Sequence, residues 1–403
     1  MTYINDNPQS GHSFETLVSD LKDKNLFRTL KHITKRQGKY IWLNHKKYLN
    51  LSSNDYLGLA TQESLINKFY EGLNNDNCVD RFGPGSSSSR LLTGNFGLYT
   101  DLEKVLCKAY GAQAALVLNS GYHANIGLIP ALAGKPDLIV SDSLNHASIV
   151  DGIRLSKARC IIFEHNNMAF LKKILEENRK QYQTILVITE SVFSMDGDFA
   201  DIRTLVELKK KYNTLLYIDE AHSIGVFGST GLGLCHELNL ADQIDILLAP
   251  MGKALASHGA YIITSDLIKK ILINKTRSLL YSTALPPVAM NWNRFIINRM
   301  DQFSEKREQL ITTARGFRHQ LKQFDIEYTG ESHIIPIITK ENTRAVQLAK
   351  LLQKKGYLVF PIRPPTVPPN QSRVRISLTS DITLEDLSVL PDLIKSVLER
   401  KDL

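Results

Sequence analysis

The stretch ILVITESVFSMDGDFADIRTLVELKKKYNTLLYIDE, residues 185–220, decides the fold, because it reads as one strand–helix–strand unit. Its apolar runs ILVITE (185–190) and LLYIDE (215–220) have the length and composition of buried strands. Between these runs, apolar residues recur at helical spacing, at Ile202, Leu205, Val206 and Leu208. A helix that joins two buried strands predicts a parallel pair, with the helix packed on one face of the sheet.

The same alternation of apolar runs and amphipathic helices extends over residues 100–265. Five further runs are AALVL (114–118), DLIVS (137–141), CIIFE (160–164), DILLA (245–249) and AYIIT (260–264). The helix near residue 100 carries Thr100 and Glu103 at the spacing of a capping box, which we expect to begin it. We therefore predict an α/β protein whose large domain is a mostly parallel, seven-stranded sheet between helices.

The segments on either side of this unit complete the predicted organisation. Residues 1–48 are expected to form an N-terminal helix and a hairpin, and a long helical stretch is expected near 287–323. A smaller C-terminal α/β region follows, with strands near 334–338, 358–360 and 373–378 and a last helix from 384, capped by Thr383 and Asp386. We predict three parts: residues 1–48, the large domain 49–287, and a linking helix with the small domain 288–403.

Composition narrows the function classes. The 403 residues are 43% hydrophobic and carry a net charge of +8, which fits either anionic partners or an ordinary solvated surface. The four cysteines form no CxxC pair, so we expect no disulfide framework and no metal site. The polar N-terminus, MTYINDNPQS, lacks an apolar signal core, and no stretch of about 20 apolar residues occurs. We expect a cytoplasmic protein that binds neither membranes nor nucleic acid.

Polar clusters follow four of the predicted strands. They are the small-residue turn at Ser120-Gly121-Tyr122, His146, the Asp219/His222 pair, and Lys253. Ligands of parallel sheets bind beyond the carboxyl ends of the strands, so these positions are where chemistry is expected. Each cluster alone also fits an ordinary turn, a structural histidine, a costly buried acid or a lysine that reaches solvent.

Taken together, the four clusters match the needs of pyridoxal phosphate. The phosphate needs N–H donors, which a helix N-terminus provides. The ring needs a flat face, the pyridine nitrogen needs a carboxylate, and the aldehyde needs a lysine. A lysine that burial has made easier to deprotonate, as we expect for Lys253, can serve as that nucleophile.

The motifs resemble those of the α-oxoamine synthase family of fold-type I pyridoxal-phosphate enzymes. The matching segments span about 45–380 in family order: LNLSSNDYLGLA (49–60), GPGSSSSRLLTGN (83–95), SGYHAN (120–125), DSLNHASIVDG (142–152), TESVFSMDGD (189–198), IDEAHSIGVFGSTGLG (218–233), GKALASHGAY (252–261), YSTALPP (281–287) and RPPTVPPNQSRVRISLT (363–379). The last of these is closest to the branch that condenses L-alanine with a pimeloyl thioester for biotin synthesis.

The resemblance implies roles around the ring of the cofactor. Lys253 is expected to form the Schiff base and then to act as a base. Asp219 is expected to pair with the pyridine nitrogen, and His146 to stack on the ring. His222 and Ser194 are expected to contact the ring hydroxyl.

It also implies roles at the phosphate and the substrate. Backbone N–H groups of Ser120, Gly121 and Tyr122 are expected to hold the phosphate, with Ser282 and Thr283 reaching the phosphate of a neighbouring subunit in a homodimer. Asn54 and Arg375 are expected to grip the carboxylate of the amino acid, because the guanidinium fork suits a carboxylate. Arg373 lies two residues away on the same strand face, so only the motif favours Arg375.

Two positions depart from the family pattern. Pro250 stands three residues before the lysine, where the family has threonine or serine, and it offers the phosphate neither a hydroxyl nor an N–H. We therefore expect weaker phosphate anchoring, or compensation from Ser282 or Thr283. Ala256 replaces a common glycine.

Other readings remain open. Another α-oxoamine synthase would take a different amino acid or acyl group, as 2-amino-3-ketobutyrate ligase, serine palmitoyltransferase and 5-aminolevulinate synthase do, and the acyl carrier could be coenzyme A or an acyl carrier protein. A non-catalytic subunit that kept the fold is supported only by Pro250. The retention of Lys253, Asp219 and His222 argues against it.

Overall fold

The structure is a computed structural model that describes residues 13–24, 27–364 and 366–399. The polar segment 1–10 lies outside the described residues. The strands are β1 (Ile33–Gln37), β2 (Tyr40–Leu43), β3 (Lys46–Asn50), β4 (Ala114–Leu118), β5 (Leu138–Asp142), β6 (Arg159–Phe163), β7 (Ile185–Glu190), β8 (Leu215–Asp219), β9 (Ile246–Pro250), β10 (Ala260–Thr264), β11 (Ile334–Lys340), β12 (Tyr357–Leu358), β13 (Pro361–Ile362) and β14 (Ser372–Ser377).

The α-helices are α1 (Phe14–Asp23), α2 (Glu63–Tyr70), α3 (Cys78–Phe82), α4 (Gly97–Tyr110), α5 (Gly121–Leu132), α6 (Ala147–Leu155), α7 (Met168–Asn178), α8 (Ile202–Tyr212), α9 (Leu234–Glu237), α10 (Asp266–Lys275), α11 (Arg277–Leu280), α12 (Pro287–Ile297), α13 (Ser304–Gln323), α14 (Asn342–Lys354), α15 (Leu384–Leu387) and α16 (Leu390–Leu398). Within the described part of the chain, none of them combines the length and apolar content that a membrane crossing requires.

A seven-stranded sheet with the order β4-β10-β9-β8-β7-β5-β6 forms the centre of the molecule. All seven apolar runs of the sequence are its strands. Strands β6, β5, β7, β8 and β9 run parallel, and β10 is antiparallel to both β9 and β4. The predicted α/β fold with a mostly parallel sheet is confirmed.

Helices cover both faces of this sheet, because side chains of each strand alternate between two buried clusters. In β5, Leu138 and Val140 join the cluster that contains α4 and α8, whereas Ile139 joins the cluster that contains α5, α6 and α10. A strand that is buried on both faces must be apolar throughout, which explains the continuous runs in the sequence. The polar groups are left to the strand ends.

The two predicted capping boxes have different outcomes. Thr383 and Asp386 form a capping box at the start of α15, as predicted. The box at Thr100 and Glu103 is wrong, because α4 begins at Gly97 and Thr100 lies inside the helix. The carboxylate of Glu103 is used elsewhere, since it accepts the N–H of Val117 at 3.0 Å and binds lysine and arginine side chains.

The predicted helical stretch 287–323 is divided into α12 and α13 by a 3-10 turn at Met300–Phe303. The small C-terminal region contains the sheet β11-β14-β13. The N-terminal strands β1, β2 and β3 form a meander, and β12 extends it by pairing in parallel with β3. The division of the chain at residues 48 and 287 stays a prediction.

Candidate active site

Three neighbouring strands bring the candidate groups to one edge of the central sheet. Strands β7 and β8 end at Glu190 and Asp219, which are register partners, and Lys253 follows the end of β9 by three residues. Parallel strands end at the same edge of a sheet, so residues far apart in sequence meet there.

Lys253 stands against His222, with 2.8 Å between Nζ and His222 Nε2. Burial lowers the pKa of Lys253 to about 8, although the carboxylates of Asp219 and Glu190 oppose this change. An amine with a pKa this low is partly deprotonated near neutral pH and can act as a nucleophile or a base.

His222 connects the lysine to a buried polar chain. Burial, together with the charges of Lys253 and Arg375, holds the pKa of His222 well below its usual range, so its imidazole is neutral. His222 Nδ1 lies 2.5 Å from the hydroxyl of Tyr56, which in turn donates to Asn54 Oδ1 at 3.1 Å. These hydrogen bonds connect Lys253 to Asn54, which is predicted to bind the carboxylate of the substrate together with Arg375.

Asp219 is buried, with 4% of its surface exposed, and its carboxylate accepts two hydrogen bonds. The donors are Asn125 Nδ2 at 3.0 Å and the N–H of Ala221 at 3.0 Å. The hydroxyl of Tyr217 donates to Asn125 Oδ1 at 2.6 Å and thereby fixes the amide orientation. These bonds offset part of the cost of a buried carboxylate, which a cationic partner such as a pyridinium would offset further.

His146 is the N-cap residue of α6, and its orientation is fixed from two sides. Its backbone N–H donates to Glu190 Oε1 at 2.6 Å. Its Nδ1 accepts the N–H of Ser148 at 3.2 Å, so the neutral ring carries its proton on Nε2. The residue is otherwise exposed, which leaves the ring open for stacking.

The turn predicted to hold phosphate forms the start of α5. Ser120 is the N-cap, and its hydroxyl accepts the N–H of His123 at 3.1 Å. The following N–H groups, of Gly121 and Tyr122, belong to the unpaired first turn of a helix, which is an anion-binding position. A Cβ at Gly121 would lie 2.6 Å from Pro250 Cγ, so the departure from the family pattern packs directly on this turn.

The two arginines of β14 differ in their partners. Arg373 is 2% exposed, and its Nη1 binds the Asp196 carboxylate and the carbonyl of Met195. Arg375 Nη2 donates to Asn54 Oδ1 at 3.2 Å and to the Tyr56 hydroxyl at 3.3 Å. Arg375 Nε is buried without a hydrogen-bond partner among the described residues, so Arg375 has a free donor and Arg373 is held by a loop.

A single chain gives fewer contacts for the other three residues predicted to bind the cofactor, which are Ser194, Ser282 and Thr283. Ser194 is half-buried in the loop after β7. The carbonyl of Thr283 accepts the side-chain amide of Asn119 at 2.6 Å, which places this segment beside the α5 turn of its own chain. The roles assigned to these three residues stay predictions.

A cavity of about 540 Å³ reaches Lys253. Its lining includes the polar side chains of Arg36, Asn54 and Asp55 and the apolar side chains of Leu59, Ile66 and Trp292. Such a cavity has room for a small substrate as well as an acyl chain.

Comparison with known proteins then places the chain in a family. A family model described as aminotransferase class I and II matches residues 46–393. The chain belongs to this family.

Curated relatives cover nearly the whole chain. An 8-amino-7-oxononanoate synthase of Chlorobaculum parvum is 45% identical over 377 residues, which is 94% of this chain and 96% of the relative. A putative 8-amino-7-oxononanoate synthase of Haemophilus influenzae is 45% identical over 381 residues, with 93% and 98% of the two chains covered.

Solved structures share the fold. Serine palmitoyltransferase of Sphingomonas wittichii superposes with a TM-score of 0.87 at 27% identity, covering 95% of this chain and 96% of that one. A crystal structure of 8-amino-7-oxononanoate synthase from Francisella tularensis gives 0.71 at 26% identity, covering 87% and 97%. The prediction of a pyridoxal-phosphate-dependent transferase of fold type I, from the α-oxoamine synthases, is confirmed.

Sequence reasoning missed three residues of the site. Tyr56 and Glu190 lie inside the motifs SNDYLG and TESVFSMDGD, but only their neighbours received roles. Asn125 ends the SGYHAN turn and bonds to Asp219. The sequence shows that these residues belong to the motifs. It does not show their contacts, because these form between strands and loops that are far apart in sequence.

Proposed function

We propose that this protein condenses L-alanine with a pimeloyl thioester, releasing carbon dioxide and the free thiol and giving 8-amino-7-oxononanoate for biotin biosynthesis. The observation that carries the proposal is the grouping of Lys253, Asp219, His222 and Arg375 in a chain 45% identical to the Chlorobaculum enzyme. The acyl carrier is either coenzyme A or an acyl carrier protein.

The residues at the strand ends fit pyridoxal phosphate. When bound, this cofactor supplies an electron sink for the carbanion at the amino-acid α-carbon. The N–H groups at the start of α5 would hold its phosphate, Asp219 would keep its ring nitrogen protonated, and His146 offers its ring a free face. Lys253 would provide the amine that it needs.

Lys253 is suited to remove the α-proton of the amino acid. Its pKa of about 8 leaves a fraction of the amine unprotonated at neutral pH, and the proton it takes is stabilised by the carboxylate of Asp219. The neutral His222 beside it accepts a hydrogen bond from the protonated amine and so keeps it in place.

Arg375 is suited to orient the amino acid through its carboxylate. Its buried, unpaired Nε loses hydrogen-bond energy until an acceptor arrives, and a carboxylate is the acceptor that matches the guanidinium fork. Asn54 and Tyr56 both accept hydrogen bonds from Nη2 of this guanidinium, so the group is positioned before substrate binds.

The cavity at Lys253 is suited to an acyl chain. Its apolar walls at Leu59, Ile66 and Trp292 would displace water from the chain and from the carbanion that must attack the thioester. An acyl substrate of a different length is the second candidate, because the solved serine palmitoyltransferases share the fold with TM-scores up to 0.87.

We further propose that the protein is a cytoplasmic homodimer. Its four cysteines are all free, as expected in a reducing compartment. The dimer follows from the family resemblance, in which Ser282 and Thr283 serve the phosphate site of the neighbouring subunit.

Mass spectrometry of the products tests the proposed reaction. Purified protein with added cofactor is incubated with four amino acids in turn (alanine, glycine, serine and threonine), each with short, dicarboxylic and long-chain acyl thioesters. We expect product from L-alanine with the pimeloyl thioester, and none from Lys253→Ala under the same conditions. A preference for another pair would reassign the substrate, and product from Lys253→Ala at the wild-type rate would remove the lysine from the mechanism.

A further inference from the structure

Glu190 is a second buried carboxylate at the site, and the proposed reaction gives it no part of its own. It ends β7 directly opposite Asp219, the last residue of β8. The two residues are 2% and 4% exposed. Two carboxylates this close and this buried repel each other unless a proton or a cation is shared between them.

A chain of hydrogen bonds joins the two carboxylates through His146, Ser148 and Asn125. Glu190 Oε1 accepts the His146 N–H at 2.6 Å, and His146 Nδ1 lies 2.8 Å from the hydroxyl of Ser148. Asn125 Nδ2 donates to that hydroxyl at 2.9 Å and to Asp219 Oδ2 at 3.0 Å. The residue expected to stack on the cofactor is therefore held by the carboxylate beside Asp219.

Three charged side chains act on Glu190, those of Asp142 at the end of β5, Asp219 at the end of β8 and Lys253 in the loop after β9. The backbone N–H of His146 donates to its carboxylate. Lys253 is the only cation among the three side chains. Burial and the charge of Asp219 raise the pKa of Glu190 to about 8, although Lys253 opposes this change, and the pKa of Lys253 itself is lowered to about 8. The acid and the amine therefore titrate in the same pH range, as a coupled pair.

We propose that Glu190 is a positioning residue of the active site, which holds His146 by its main chain and shares with Asp219 the stabilisation of a proton on the Lys253 nitrogen. The inference rests on the role of Lys253 in the proposed function. It predicts that the proton affinity of this nitrogen depends on a carboxylate that need not contact it.

The variant Glu190→Gln tests this in the holoenzyme. The amide oxygen still accepts the His146 N–H, while the charge is removed. The readout is the visible absorbance of the bound cofactor as a function of pH, because this absorbance follows the proton on the Lys253 nitrogen. We expect the variant to titrate in a single step with its midpoint about one pH unit below that of the wild type, because a nearby negative charge is lost.

Glu220→Gln is the matched control. Glu220 is equally buried, but its carboxylate accepts the N–H of Cys235 and the hydroxyl of Ser223, each at 2.9 Å. The same loss of charge should leave the midpoint at the wild-type value. Equal midpoints for Glu190→Gln and the wild type, or equal shifts in both variants, would overturn the proposal.

The wild-type curve provides a test that needs no variant to fold. A coupled acid and amine titrate over a wider pH range than a single group. A wild-type titration with the width of one proton would therefore also overturn the proposal.

Product formation, measured on the same preparations, separates this inference from the proposed function. A shifted midpoint in an enzyme that makes no 8-amino-7-oxononanoate would remove the proposed reaction and keep the role of Glu190. Product from the wild type without a shift in Glu190→Gln would do the reverse.

Discussion

Arg373 and Arg375 are neighbours on one strand, but the first has a structural role and the second is the candidate for substrate binding. Both side chains lie on the same face of β14. Arg373 forms an ion pair with Asp196 in the loop after β7, whereas Arg375 bonds to Asn54 and keeps an unpaired Nε donor. The pattern RxR predicts that both side chains face the site. It does not contain the loop residue Asp196, which decides between them.

Replacement of Arg375 by alanine should mainly weaken the binding of the amino acid. A charge-assisted, bidentate contact contributes about 2–3 kcal/mol, so we expect KM for L-alanine to rise on the order of 30- to 150-fold. Steady-state kinetics at saturating thioester measure this. Arg373→Ala serves as the comparison, because it should lower stability more than substrate affinity, and an unchanged KM in Arg375→Ala would move the role elsewhere.

His165 is a residue whose charge depends on its partners. Its Nδ1 lies 2.9 Å from Asp142 and its Nε2 lies 2.6 Å from Asp198. Burial acts to lower the pKa of His165, but the hydrogen bonds and charges of the two aspartates outweigh it and raise the pKa to about 10. The imidazolium thus fastens the loop of residues 191–198, which carries Ser194, to the end of β5.

The stability that His165 contributes should therefore disappear in alkali. Because the pKa in the folded state is above the ordinary value, the contribution is complete below about pH 6.5 and is lost as the pH rises towards 10. Urea unfolding of wild type and His165→Asn should differ by on the order of 2 kcal/mol at pH 6 and by much less at pH 10. A difference that does not change with pH would exclude a charged His165.

At the scale of elements, the loop after β9 shows why glycine is common at position 256, where this chain has alanine. Ala256 has a φ of 51°, in the left-handed region where a side chain is strained. Its N–H donates to the carbonyl of Lys253 at 2.9 Å, so the strained residue closes the turn that carries the catalytic candidate. A glycine there removes the strain, which is the physical reason for the common family residue.

Ala256→Gly should stabilise the protein by about 0.5–1 kcal/mol, because the strain removed exceeds the entropy that glycine adds to the unfolded chain. Ala249→Gly is the control, since Ala249 is buried in β9 and its φ lies outside the positive region. It should destabilise the fold by about 1 kcal/mol. Denaturant unfolding measures both, and a destabilised Ala256→Gly would contradict the argument.

The elements themselves were the most predictable part of the molecule. All seven apolar runs became strands, because burial on both faces demands continuous apolar sequence. The antiparallel direction of β10 and the interrupted helix between α12 and α13 were not predictable, since they depend on tertiary packing. Likewise, Lys253 and Asp219 could be found from strand ends, whereas Glu190 and Tyr56 acquire their roles only through contacts between elements.

At the scale of the whole molecule, the site occupies one edge of the central sheet, and the small C-terminal region supplies Arg375, the residue that we propose binds the substrate carboxylate. Arg375 on β14 meets Asn54 from the other end of the chain. Motion of this region towards the sheet would carry the bound amino acid to Lys253 and close the cavity against water.

Assembly is the remaining property of the whole molecule that can be tested. With a chain mass of 45.4 kDa, a homodimer should have a mass of about 91 kDa in light scattering, being twice the chain mass. Thr283→Ala should then lower cofactor affinity without changing that mass. An active monomer would remove the proposed role of Ser282 and Thr283 across the interface.

The pairing of β12 with β3 has a mechanical consequence. Residues 49 and 50 pair in parallel with 357 and 358, Ser52 bridges to Ser377, and Lys39 binds Asp386 at 2.7 Å. The N-terminal strands and the small C-terminal region are thus joined by direct contacts, although they are far apart in sequence. A truncation that begins at residue 49 would cut through β3 and remove β2 and Lys39, which support the residues that pair with β12. Any part of this enzyme that moves with the small C-terminal region must therefore include the N-terminal strands.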